Sequence, residues 1–217
     1  MLKKNKGLMI LTSVIILLPM LAGILLWEQL PERMATHWGV NGEADGWSSR
    51  PVAVFGMPLL LLAIHWLGVW LPGQDKRNRH QNEKVLQLVF WIAPVISLFG
   101  SGSTYASALG QPLRIDRLAL LLLGIIFAII GNYMPKCRQN YTIGINIVWT
   151  LSDEENWNAT HRLAGKLWTA GGLLLILTAF LPGNWHVYVA PLLLGVMVLV
   201  PVAYSWWFHR RQKGETR

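Results

Sequence analysis

Five long stretches without a charged side chain constrain this chain more than any other feature. They run from Gly7 to Trp27, Pro51 to Gln74, Val85 to Leu113, Leu118 to Pro135 and Leu167 to His209. A helix needs about 20 mostly apolar residues to cross roughly 30 Å of hydrocarbon, so each stretch reads as a crossing. The last covers 43 residues, 167 to 209, enough at about 1.5 Å per residue to span the hydrocarbon twice. Its middle, Leu181-Pro182-Gly183-Asn184-Trp185, has the composition of a turn. The sequence therefore predicts an all-α polytopic membrane protein with six transmembrane helices, near 8–28, 52–71, 86–109, 117–134, 163–181 and 187–208. Two modules follow, 8–71 with two spans and an outer loop 31–50, and 85–208 with a long inner loop 131–165.

Composition agrees: 53% of the 217 residues are hydrophobic and 14% are charged, against roughly 25% charged in soluble domains. That excludes a large soluble catalytic domain and a disordered chain, and the single cysteine, Cys137, excludes a disulfide scaffold. The 19 Lys and Arg fix the expected orientation. Lys3, Lys4, Lys6, Lys76, Arg77, Arg79, Lys84, Lys136, Arg138, Arg162, Lys166, Arg210, Arg211, Lys213 and Arg217 fall on one side, and only Arg33, Arg50, Arg114 and Arg117 on the other. Cationic loops stay inside, so both termini are expected in the cytoplasm and Cys137 is expected to remain a thiol. The net charge of +8 then anchors the inner loops to anionic lipid headgroups, and no module for direct nucleic-acid binding accompanies it. The first span is too long for a signal-peptide core and is read as a retained anchor.

Inside the spans, Gly100, Thr104 and Ala108 recur every fourth residue, a spacing that suits close helix packing or a polar lining. His65 falls near the middle of the second span, where an ionisable group is a candidate proton carrier or a neutral structural histidine. No second ionisable residue lies near a span centre, which weakens an ion-coupled transporter. Tryptophans near the helix ends form the usual interfacial belt. No nucleotide, metal or other cofactor motif is present, and no cofactor is expected.

Two loops are longer than a connector needs. In the outer one, His37-Trp38-Gly39-Val40-Asn41-Gly42-Glu43-Ala44-Asp45-Gly46-Trp47, Asn-Gly and Asp-Gly predict a chain that doubles back at Asn41-Gly42 as a hairpin-like lid. His37, Glu43 and Asp45 would be the ligands of a metal there, although their spacing is not that of a defined site. In the inner loop, Pro135 ends the fourth span, and Ser152 followed by Glu155 reads as a capping box that starts a helix. On that helix Glu154, Trp157, His161 and Gly165 share one face. Glu154 and His161 are two turns apart, a spacing open to an acid–base pair or to a polar docking face.

The segment from Gly131 to Gly165, with its Gly-Asn, Pro-Lys, Asn-Tyr, Ile-Gly-Ile, Trp-Thr-Leu-Ser-Asp-Glu and Thr-His-Arg elements, resembles the signature of the SdpI family of bacterial membrane proteins. The outer segment Leu30 to Trp47 resembles a short uncharacterised domain that often precedes that signature. The resemblance implies a non-enzymatic immunity protein of the bacterial inner membrane, facing a secreted peptide toxin. It also implies a receptor holding a cytoplasmic transcriptional repressor at the membrane. The matching inner residues are Asn132, Pro135, Asn140, Gly144, Thr150, Leu151, Ser152, Glu154, Trp157, Thr160, His161, Arg162 and Gly165; family members commonly carry arginine where this chain has Asn146. A transporter or channel for a small solute or peptide, and an intramembrane enzyme using Glu154 and His161, are the alternatives.

Overall fold

The computed structural model describes residues 5–215. Lys3, Lys4 and Arg217, part of the charge balance, lie outside the described residues. Among these are seven α-helices, α1 Lys6–Leu25, α2 Met57–Gln74, α3 Glu83–Ala108, α4 Ile115–Tyr133, α5 Val148–Ser152, α6 Glu154–Thr178 and α7 His186–Glu215. Five segments are long and apolar enough to cross a membrane, at Lys6–Leu25, Val52–Gln74, Glu83–Ala108, Ile115–Lys136 and His186–Gln212. The helix expected at 163–181 is α6, but it starts nine residues earlier and carries Arg162 and Lys166 in its first half, which holds its hydropathy below that of the other five. The break expected near Leu181–Trp185 lies between α6 and α7, with Gly183 at a positive φ of 59°.

Burial runs opposite to that of a soluble domain. Large apolar side chains such as Leu18, Leu21, Leu60, Leu67, Leu177 and Leu199 face outward, while Thr12, Ser97, Thr160 and Ser205 are completely buried. With lipid outside there is no hydrophobic gain in burying leucine, and helices meet through small and hydrogen-bonding residues instead. The molecule is a helical, polytopic membrane protein.

The chain forms two compact units that do not follow linear order: 1–73 with 87–116, and 74–86 with 117–217. In the first, Ser97 Oγ–H donates to the Ile16 carbonyl at 2.8 Å and Tyr105 O–H to the Pro19 carbonyl at 2.9 Å, joining α3 to α1. The close approach expected of Gly100 is made elsewhere: a Cβ on Gly100 would meet nothing within 4 Å, whereas one on Gly23 of α1 would lie 2.7 Å from the Tyr105 hydroxyl. His65 is buried, with Nε2 2.9 Å from Thr12 Oγ1 and its ring edge-on to Phe90.

An antiparallel hairpin, β1 Arg33–Trp38 and β2 Ala44–Ser49, interrupts the otherwise helical chain. It turns where the Asn-Gly pair predicts, with Gly42 at φ 80° donating to the Gly39 carbonyl at 2.9 Å. Met34 and Leu30 bury against Ala53, Val54 and Tyr105, which fastens the hairpin to its own unit.

In the second unit α4 and α6 touch backbone to backbone. A Cβ on Gly124 would sit 2.6 Å from the Gly172 carbonyl oxygen, and one on Gly131 would sit 2.9 Å from that of Gly165. The two pairs are seven residues apart on both helices, two turns along one face.

Candidate functional site

The segment that follows α4 is a loop folded around its own polar groups. Met134–Lys136 forms a 3-10 turn, after which Cys137 is buried. Asn140, fully buried, accepts from the backbone N–H of Thr142 and Ile143 at 2.8 and 2.6 Å and donates to the Arg138 and Ile143 carbonyls at 2.8 and 2.9 Å. One amide thus supplies the hydrogen bonds of a whole reverse turn, a role that asparagine's short side chain suits. Thr150, also fully buried, bonds the Ile145 carbonyl at 2.6 Å and starts α5 by accepting from Ile147 N–H at 3.2 Å.

Helix α6 closes this loop from the other side. Its N-cap is Asp153, whose carboxylate accepts from the N–H of Glu155 and Asn156, while Ser152 ends α5 and turns its hydroxyl to the Trp149 carbonyl. The expected Ser152–Glu155 capping box is therefore not formed, and the N-cap falls one residue later, at Asp153, without a reciprocal side-chain bond. α5 reaches through Ser152, so the extended backbone an N-cap needs first appears at Asp153, at φ −146°. Trp157, fully buried, donates its indole N–H to the Cys137 carbonyl at 2.8 Å and stacks on the His161 ring at 3.9 Å.

His161 uses both ring nitrogens. Nδ1 lies 2.8 Å from the Trp157 carbonyl and Nε2 accepts from Ile145 N–H at 3.0 Å, which fixes the neutral tautomer with its proton on Nδ1. Burial pushes its pKa down to about 4, against a smaller upward effect of the Trp157 carbonyl. Gly144, at φ 110°, lets the loop pass over the ring, since a Cβ there would sit 2.5 Å from Nε2. Glu154, by contrast, is exposed at the first position of α6. An acid–base pair of Glu154 and His161 is not assembled, because the histidine has no free nitrogen and the carboxylate points elsewhere.

The other matching residues divide by burial. Thr160 is buried and donates to Asn156 Oδ1 at 2.9 Å; Gly165 is buried against Pro135; Leu151 packs beside Val85, Cys137 and Trp157. Asn132, Ser152 and Arg162 are exposed, and the Oδ1 of Asn146 is buried without a hydrogen-bond partner among the described residues. Cys137 is a free thiol that burial pushes up to about 11, against opposing hydrogen bonds from Asn140 and Gln81.

Two groups of residues escape a reading of the signature alone. Asp75, Asn78 and Gln81 dock onto it: Asp75 accepts from Tyr141 N–H at 2.7 Å, Asn78 donates to Thr142 Oγ1 at 2.9 Å, and Gln81 holds Arg138 by both its N–H and carbonyl at 2.9 and 3.0 Å. Their spacing of three residues matches the 3-10 turn Lys76–His80 and is the sequence signal that reveals them. Asn156 and Ser205 join α6 to α7, with Asn156 donating to the Ser205 carbonyl at 2.9 Å and Ser205 returning its hydroxyl at 2.7 Å.

In the hairpin, His37 Nδ1 pairs with Asp45 Oδ1, Asn41 donates to Glu43 at 2.8 Å, and Gly46 fits against the His37 Cβ. No group of three His, Cys, Asp or Glu able to hold a metal occurs among the described residues. Gly39 donates to the Glu43 carbonyl at 2.9 Å, Trp38 is half-buried, and Trp47 is exposed.

The profile of the SdpI/YfhL protein family matches residues 136–205, and that of a domain of unknown function (DUF1648) matches residues 14–62. Over 212 residues the chain is 27% identical to the Immunity protein SdpI of Bacillus subtilis (strain 168), covering 98% of this chain and 99% of that protein. No solved structure matches. The first profile falls on the signature loop, α6 and most of α7, and the second on the hairpin with the helices that flank it. Residues 136–205 thus carry the signature region of the SdpI/YfhL protein family.

Proposed function

We propose that this chain is a non-enzymatic immunity protein of the bacterial cytoplasmic membrane that protects its cell against a secreted peptide toxin. The observation that carries this reading is the similarity to the Immunity protein SdpI of Bacillus subtilis, which extends over 98% of this chain and 99% of that protein. In this reading the chain crosses six times, with α6 as the crossing shielded by α4 and α7 and both termini inside. The excess of cations at one set of loops supports that orientation. The hairpin then lies outside, where exposed Val40 and Trp47 offer an amphipathic toxin an apolar contact. The signature loop lies inside and holds a cytoplasmic transcriptional repressor through its solvent-facing apolar residues Tyr141 and Val148, 58% and 77% exposed.

Expression in a toxin-sensitive bacterium tests the reading, scored by survival and membrane potential. Survival with the chain and killing without it is the expected result; equal killing in both sinks immunity to that toxin. Replacing Val148 by Asp is expected to release the repressor while survival is kept, which a reporter under the repressor's control reads separately.

A further inference from the structure

Beside the signature loop lies an open cleft of about 450 Å³, walled by the 80–82 turn, the 135–138 turn and the first turns of α6. Its charged lining residues are Lys136, Arg138 and Glu154, with His80, Asn82 and Asn158 supplying further polar groups. Neither Arg138 nor Glu154 has an ion pair or side-chain hydrogen bond among the described residues, and the two do not reach each other. The Lys136 ammonium stands 4.6 Å over the Tyr133 ring, which positions it without neutralising it. The walls are rigid, because the Gln81 amide grips Arg138 at both backbone groups and Pro135 packs on Gly165.

The depth of the cleft is set by the spans around it. The apolar segment Ile115–Lys136 ends in its wall, and the apolar segment Glu83–Ala108 begins one residue after Asn82. A polar cleft at the point where two spans leave the hydrocarbon sits at headgroup level. We propose that it binds one phospholipid headgroup of the phosphoethanolamine class, with the phosphodiester against Lys136 and Arg138 and the ammonium against Glu154. Two cations facing one carboxylate complement an anionic phosphate that carries its own amine. Glycerol headgroups bring no cation to Glu154, and the methylated ammonium of choline has no N–H to donate to it. The inference is independent of toxin immunity, since lipid selection is read on the purified protein.

The test is native mass spectrometry of the full chain released from nanodiscs with equal parts of ethanolamine, glycerol and choline phospholipid. One ethanolamine lipid should be retained in preference to the other two. A charge-assisted hydrogen bond corresponds to roughly a tenfold change in binding. Glu154→Gln should therefore erase the preference for ethanolamine over choline by about that factor, while the double variant Lys136→Gln, Arg138→Gln should lose retention of all three. Both variants change exposed side chains, and unchanged melting temperatures will show that the fold persists. Equal retention of the three lipids by the unaltered protein would overturn the proposal. So would binding of soluble glycerophosphoethanolamine as tight as that of the lipid, or an acidic peptide displacing the lipid from the cleft.

Discussion

His161 is held neutral by its surroundings, with Nδ1–H on one carbonyl and Nε2 under a backbone N–H. Its pKa of about 4 in the folded protein compares with 6.5 for a free histidine. As pH falls through 6.5 the unfolded chain takes up the proton first, so folded stability is lost between about 6.5 and 4 and no further below. Melting temperatures of the detergent-solubilised protein should fall with pH across that window, and His161→Gln should flatten the slope. An unchanged slope would assign it to other groups. Trp157→Ala removes a fully buried indole and should cost roughly 3–5 kcal/mol. The same variant should expose Cys137, which in the intact protein is expected to resist maleimide at neutral pH until the chain is denatured. Helical spacing placed Glu154, Trp157, His161 and Gly165 on one stripe. It did not say that the 138–147 loop covers Trp157 and His161, that Pro135 covers Gly165, and that Glu154 is left to the cleft, because periodicity carries no information on what packs against a face.

At the scale of elements, α4 and α6 depend on Gly124, Gly131, Gly165 and Gly172, where main chains come within reach of each other. Gly131→Leu or Gly172→Val forces these helices apart and should lower stability by roughly 1–3 kcal/mol, read as a reduced melting temperature. Gly195→Ala on α7 meets nothing within 4 Å and should leave it unchanged. Asp153→Ala removes the α6 cap and should cost roughly 0.5–2 kcal/mol. The positions of the five long apolar helices, the hairpin turn and the break before α7 were legible because apolar length and Asn-Gly chemistry are local. The glycine contacts were not: Gly100, Thr104 and Ala108 have the same spacing logic, yet the space beside Gly100 is empty.

For the whole molecule, topology reporters fused after residues 45, 80, 112, 145 and 184 and at the C terminus should alternate outside and inside, ending inside. Reporters at 145 and 184 on the same side would mean that α6 does not cross and that the chain spans five times. The sequence by itself determined that the chain lives in a bilayer, roughly where it crosses, and which two loops are elaborate, since these depend on transfer free energy and turn chemistry residue by residue. Only the tertiary structure decided that the signature is an internal brace, with the side chains of Asn140, Thr150, Trp157 and His161 spent on backbone groups of the loop itself. It also decided that Glu154, Lys136 and Arg138, from two distant turns, line one cleft. Such pairings follow from closure of a loop on a helix, where each buried polar group must find a partner and those left over face the surface.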